Sequence, residues 1–177
     1  MKSILQASVL LFFAMISMNS QSAMIDASEV VYGGSSVQVL SNATITSSGS
    51  DGFWTNGTAF CAFAPDSSCE QDWSIDFADN ISNLFMTSMG VSSGDSVTVS
   101  AFLDGSLLGS QIVTTAAIFD FSSFGILDRI EFDDNSTAAG IGWQNITFDV
   151  VSDVPVPAPL ALLILGLFGL GVTRRRV

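Results

Sequence analysis

The side chains of this chain that could do chemistry are few in kind. Its 177 residues include 17 aspartates and glutamates, two cysteines, three tryptophans and no histidine. Without histidine, neither a Ser-His-Asp nor a Cys-His nucleophile can be assembled. Paired carboxylates could still serve acid/base work on a glycoside, but spacing and context set no two of them apart. There is no phosphate-cradling glycine loop leading to a lysine, and no dinucleotide fingerprint. Cys61 and Cys69 enclose AFAPDSS. In an oxidising compartment two cysteines suggest a disulfide, and Pro65-Asp66-Ser67 supplies a turn that would bring their Cα atoms within reach. The spacing is not C-x-x-C, and two thiolates do not complete a zinc shell.

Two tryptophans are candidate binding residues. Trp54 lies in DGFWTNG beside Asp51 and Asn56, and Trp143 lies in GIGWQN beside Gln144 and Asn145. Either could present an aromatic face to a sugar ring, with polar neighbours for its hydroxyls, although tryptophan more often fills a core. Trp73, in phase with Ile75 and Phe77, reads as core. Asp133, Asp134 and Asn135 cluster oxygen donors of the kind calcium takes. The EF-hand pattern is absent, and an Asp/Asn turn is the simpler account. No other cofactor is expected.

The elements that must position these residues read as strands. Trp73, Ile75 and Phe77 alternate with polar residues, as do Val97, Val99 and Ala101, then Ile130 and Phe132, then Ile146, Phe148 and Val150. A period of two marks strands with one buried face and one wet face. Asp104-Gly105, between SVTVSAFL and SLLGSQIV, predicts a hairpin. Further turn signals fall at Gly33-Gly34, Asp51-Gly52, Asn56-Gly57, Gly94-Asp95 and Asp133-Asp134-Asn135. Short strands at this spacing predict an all-β fold, a single antiparallel β-sandwich of the jelly-roll or immunoglobulin-like kind.

Both ends of the chain read as addresses. Met1 to Ala23 has Lys2, the apolar run Val9 to Ile16, and the small and polar residues Ser20, Gln21, Ser22 and Ala23. This is the layout of a secretory signal peptide, with cleavage possible after Ser22 or Ala23. The segment 154–177 begins with the prolines Pro155, Pro157 and Pro159, continues as an uncharged run to Val172, and ends at Arg174, Arg175 and Arg176. As a helix from Pro155 to Val172 it would be about 27 Å long, close to the hydrocarbon thickness of a bilayer. The arginines would stop transfer and stay cytoplasmic. Between these ends, residues 24–153 carry Arg129 as the one basic residue against 17 acidic ones, so one minus 17 leaves −16. Such a domain repels nucleic acid.

The C-terminal order, VP-x-PAPLALL, a Leu/Gly run and an arginine cluster, resembles the PEP-CTERM sorting signal that Gram-negative bacteria present to an exosortase. The motif spans Val154, Pro155, Pro157, Ala158 and Pro159, with Ala158 where the family has glutamate. From about Ser92 to Val151, the rhythm D-x-I-x-F…W-x-N-I-x-F resembles the ectodomains that precede such tails, distant relatives of galactose-binding and other carbohydrate-binding sandwiches. The resemblance implies export, a transient hold in the inner membrane, then processing and delivery to the cell surface or exopolysaccharide matrix. The expected partners are the secretion machinery, the exosortase, the membrane through the C-terminal helix, and exopolysaccharide. A structural matrix role without catalysis is expected first, a carbohydrate-binding module second, and a glycoside-acting enzyme third.

Overall fold

The computed structural model describes residues 20–151, except 67 and 138. The signal-peptide segment up to residue 19, the sorting motif Val154 to Pro159 and the arginines Arg174 to Arg176 lie outside the described residues. Each alternating run becomes a strand. The strands are β1 (Ser20–Ile25), β2 (Val37–Val39), β3 (Ala43–Ser47), β4 (Phe53–Thr55), β5 (Phe60–Ala62), β6 (Trp73–Met89), β7 (Val97–Leu103), β8 (Ser106–Val113), β9 (Ile118–Asp120), β10 (Leu127–Asp134) and β11 (Gly142–Val151). Two single-turn 3₁₀ segments, Ala27–Glu29 and Ser122–Phe124, are the helical elements of the described residues. None of the described helices is long and apolar enough to cross a membrane.

The longest strand, β6, organises the rest. Its first part pairs with β3 on one side and β10 on the other, through Thr46–Ser74 and Glu131–Ser74. Its second part pairs with β11 and β9, through Trp143–Ser88 and Met86–Phe119. Ala78, Asp79 and Asn80, all exposed, lie at the changeover. β7 and β8 extend the first half beyond β10, β2 extends it beyond β3, and β1 with the β4–β5 hairpin joins β11 in the second half. The all-β antiparallel architecture agrees with the alternation. The expected two separate sheets are instead one hydrogen-bonded sheet, because the 17 residues of β6 run unbroken through both halves.

The two halves pack against each other through aromatic rings, which gives the sandwich-like core. Phe53 and Phe60 of the β4–β5 hairpin meet Trp73 edge-on at 5.9 and 5.5 Å. Trp73 stacks on Phe132 at 3.9 Å, and Phe132 meets Trp143 edge-on at 4.9 Å. Ring pairs of this kind add roughly 0.5–1.5 kcal/mol each beyond the area they bury. The hairpin at Asp104-Gly105 forms as its sequence requires: Leu103 pairs with Ser106, and the two turn residues sit at φ 50° and 74°.

The ends of the described unit are neighbours. β1 runs antiparallel to β11 from Ser20–Val151 to Ile25–Ile146. Ser20 to Ala23, read above as the end of a signal peptide, are thus four of the six residues of β1.

Candidate functional site

Consecutive strand residues point to opposite faces of a sheet, so the residues that alternate with the core residues Trp73, Ile75, Phe132 and Ile130 form an outer face. One cross-strand row on that face runs Thr46, Ser74, Glu131, Ser100, from β3 through β6 and β10 to β7. The adjacent row runs Thr44, Asp76, Arg129, Phe102. Thr46, Ser74, Ser100, Arg129, Glu131 and Asp133 line a groove of about 450 Å³ in this face. Arg129 ties the two rows together: its Nη1 lies 3.2 Å from Asp76 Oδ1 and its Nη2 lies 2.8 Å from Glu131 Oε1. All three side chains are more than a third exposed, so these pairs contribute little to stability. Their effect is to hold the guanidinium between Asp76 and Glu131.

Two polar groups in this floor are left without partners. Arg129 Nε is buried and makes no hydrogen bond. Ser74 is 6% exposed, and its hydroxyl has no hydrogen bond among the described residues. At the end of the groove, Asp72 accepts from the Asp134 backbone N–H through Oδ1 at 2.9 Å, which fixes the carboxylate at the groove mouth.

A second, more apolar groove of about 330 Å³ lies by the β4–β5 hairpin. Trp54, Phe63, Met89, Gly90 and Gly142 line it, with Cys69 and Gly140 at its wall. Trp54 is half-buried there, on the face of β4 opposite the buried Phe53. The ring of Phe63 is also tilted against the exposed Tyr32 at 5.8 Å. The wall is built from two sides. Cys61 and Cys69 form the expected disulfide, with Cα atoms 5.5 Å apart. Asp66, in the loop between them, accepts from the backbone N–H and hydroxyl of Ser68, which holds its carboxyl below the usual range. Asp95, 3% exposed, accepts from Ser92 N–H at 2.6 Å and Gly140 N–H at 3.1 Å, and so pins the wall from behind.

The expected site residues fare differently. Trp54 borders a groove and keeps part of its surface. Trp143 does not: it is fully buried, packed on Phe132, and cannot be an exposed platform. The cause is a bulge. Asn145 sits at φ 50° and inserts one extra residue between Trp143 and Ile146, so both face the core. Asp133 and Asp134 are also corrected. They are the last two residues of β10, not a turn, so their side chains leave opposite faces and cannot converge on one ion. Among the described residues no group of three or more acidic, cysteine or histidine side chains is arranged to hold a metal. Asp134 is raised above the usual carboxyl range by burial, assisted by the charges of Glu70 and Asp95, while hydrogen bonds from Ser136 oppose the shift. Sequence reasoning missed the outer-face groove. Its one sequence signal was Arg129, the only basic residue between the two ends, set among acids in DRIEFDD.

No protein-family model and no curated protein matches the chain. Among solved structures it is similar to the X-ray structure of GH31 CBM32-2 bound to GalNAc. The identity is 14%, over 76% of this chain and 95% of that one, with a TM-score of 0.30. At that TM-score the likeness carries no argument about this chain.

Proposed function

We propose that this chain is an exported bacterial surface or matrix protein. In this reading its acidic β domain is carried out by an N-terminal signal and sorted through an exosortase-type C-terminal segment. The observation that carries it is the Cys61–Cys69 disulfide, closing a loop of an otherwise cysteine-free domain. Disulfides persist in oxidising compartments outside the cytosol. We place the folded-over sheet with the jelly-roll and galactose-binding sandwiches, on its antiparallel order and its aromatic core between two halves. The role assigned is binding or structural, without catalysis.

Intact-mass and C-terminal peptide analysis of the protein from its native cells tests this reading. A C-terminus between Val154 and Pro159, on protein from the outer surface or medium, is the expected result. An intact Val177 in the inner-membrane fraction would replace the sorting signal with a plain anchor. Free thiols at Cys61 and Cys69 in the native protein would remove the argument for export.

A second reading, carbohydrate binding, is favoured by a specific observation. The domain carries a groove floored by hydroxyls, carboxylates and one guanidinium whose Nε is buried without a partner.

A further inference from the structure

We propose that the outer-face groove centred on Ser74, Arg129 and Glu131 is a binding site for a neutral polysaccharide, and that Trp54 is not part of it. The proposal rests on the carbohydrate-binding reading and assigns it a place in the fold.

A wet sheet face needs no concavity and no buried polar groups. This one has both. Ser74 is 6% exposed and borders the groove, and its hydroxyl makes no hydrogen bond among the described residues. Arg129 Nε is buried beside it, also unpaired. A buried polar group left unsatisfied is destabilising, and a ligand in the groove would supply the partner that Arg129 Nε lacks. That ligand must both accept, from Arg129 Nε–H, and donate, to the carboxylates of Glu131 and Asp133 at the rim. Sugar hydroxyls do both.

Charge excludes the competing ligands. Asp72, Glu131 and Asp133 against Arg129 leave the groove net negative, within a domain of formal charge −16. An acidic polysaccharide, a phosphate or a nucleic acid would be repelled. The groove is open on the outer face and crosses four strands, which suits a chain lying across the sheet rather than a small molecule enclosed in a pocket.

Affinity electrophoresis of the full chain tests this, in a zwitterionic detergent without a sugar headgroup. The gels would carry galactomannan, dextran, xylan or, as the acidic control, alginate. Retardation is expected in at least one neutral gel and not in alginate. Ser74→Val and Glu131→Ala should each weaken it by about tenfold or more, while Trp54→Ala leaves it unchanged. Glu131 is a surface residue, so Glu131→Ala keeps the test decisive if Ser74→Val folds poorly. Retardation lost in Trp54→Ala but kept in both groove variants would overturn the groove and leave carbohydrate binding standing at the other site. No retardation of the wild type in any neutral gel, or retardation in alginate alone, would overturn both.

Discussion

Asn83 and Asn145 face each other as complementary bulges on paired strands, each at φ 50°, one on either side of the Phe85–Thr147 pair. Asn83 adds a residue to β6 and Asn145 adds one to β11, so the offset that the first creates the second removes. Ile81–Val150 and Ser82–Asp149 are therefore in the same register as Thr87–Gln144 and Ser88–Trp143. The shift also changes which residues face inward: Ile81 gives way to Leu84 and Met86 along β6, and Trp143 to Ile146 and Phe148 along β11. Asn83 is held further by its side-chain amide, which donates to Asp149 Oδ2 at 2.8 Å.

The left-handed conformation at Asn145 predicts an ordered series of substitutions. Glycine takes positive φ without strain and asparagine tolerates it, whereas a β-branched residue does not. Asn145→Gly should leave stability within about 0.5 kcal/mol of wild type, and Asn145→Val should cost about 1–2 kcal/mol. Urea midpoints would show it; equal stability of the two variants would mean the bulge relaxes.

Trp143 offers a different test. Its ring is fully buried on Phe132, yet its indole N–H has no partner. Trp143→Ala should cost about 3–5 kcal/mol, as large-to-small changes in a packed core do. Trp143→Phe should cost much less, since it keeps an aromatic ring and removes the unsatisfied donor. Chemical denaturation of both variants decides the point, and similar losses in the two would contradict this account.

Opening the Cys61–Cys69 bridge should weaken the fold without changing it. With a sequence separation of 8 residues, the loop-closure estimate is about 2–3 kcal/mol. The paired change Cys61→Ala with Cys69→Ala should lower the denaturation midpoint accordingly, while far-ultraviolet circular dichroism keeps its β signature. Loss of that signature would mean the short loop organises more of the fold than its own closure.

Acid stability should be shaped by carboxyls that pull in opposite directions. Asp26, Asp66 and Asp120 are lowered by hydrogen bonds from Ser28, Ser68 and Ser122. Their contribution is present above the ordinary carboxyl range and is lost as pH falls through it. Asp134 is raised, chiefly by burial, so its contribution is full at low pH and is lost as pH rises through its folded value. Asp134→Asn should therefore raise the melting temperature at pH 7 and give no such gain at pH 3. A gain of the same size at both values would exclude relief of the buried charge as its cause.

Much of the fold could be read locally. The alternation around Trp73, Val97, Ile130 and Ile146 marked strands, and Asp104-Gly105 marked its hairpin, because period and turn chemistry act over a few residues. Beyond Phe77 the alternation fails, although β6 continues to Met89. The phase of Ile81 does not match that of Leu84 and Met86 until Asn83 is known to bulge. Trp143 is likewise out of phase with Ile146 along the sequence, and the bulge at Asn145 turns both to the core.

Sequence alone therefore determined the all-β class, the acidity of the body and the cysteine pair, each a property of composition or of near neighbours. The tertiary structure decided which tryptophan keeps an exposed face, and that Asp133 and Asp134 point apart. It also brought Thr46, Ser74, Glu131 and Ser100 into one row. Those facts depend on register between strands far apart in the chain, and register is set by bulges and partners that no single segment contains.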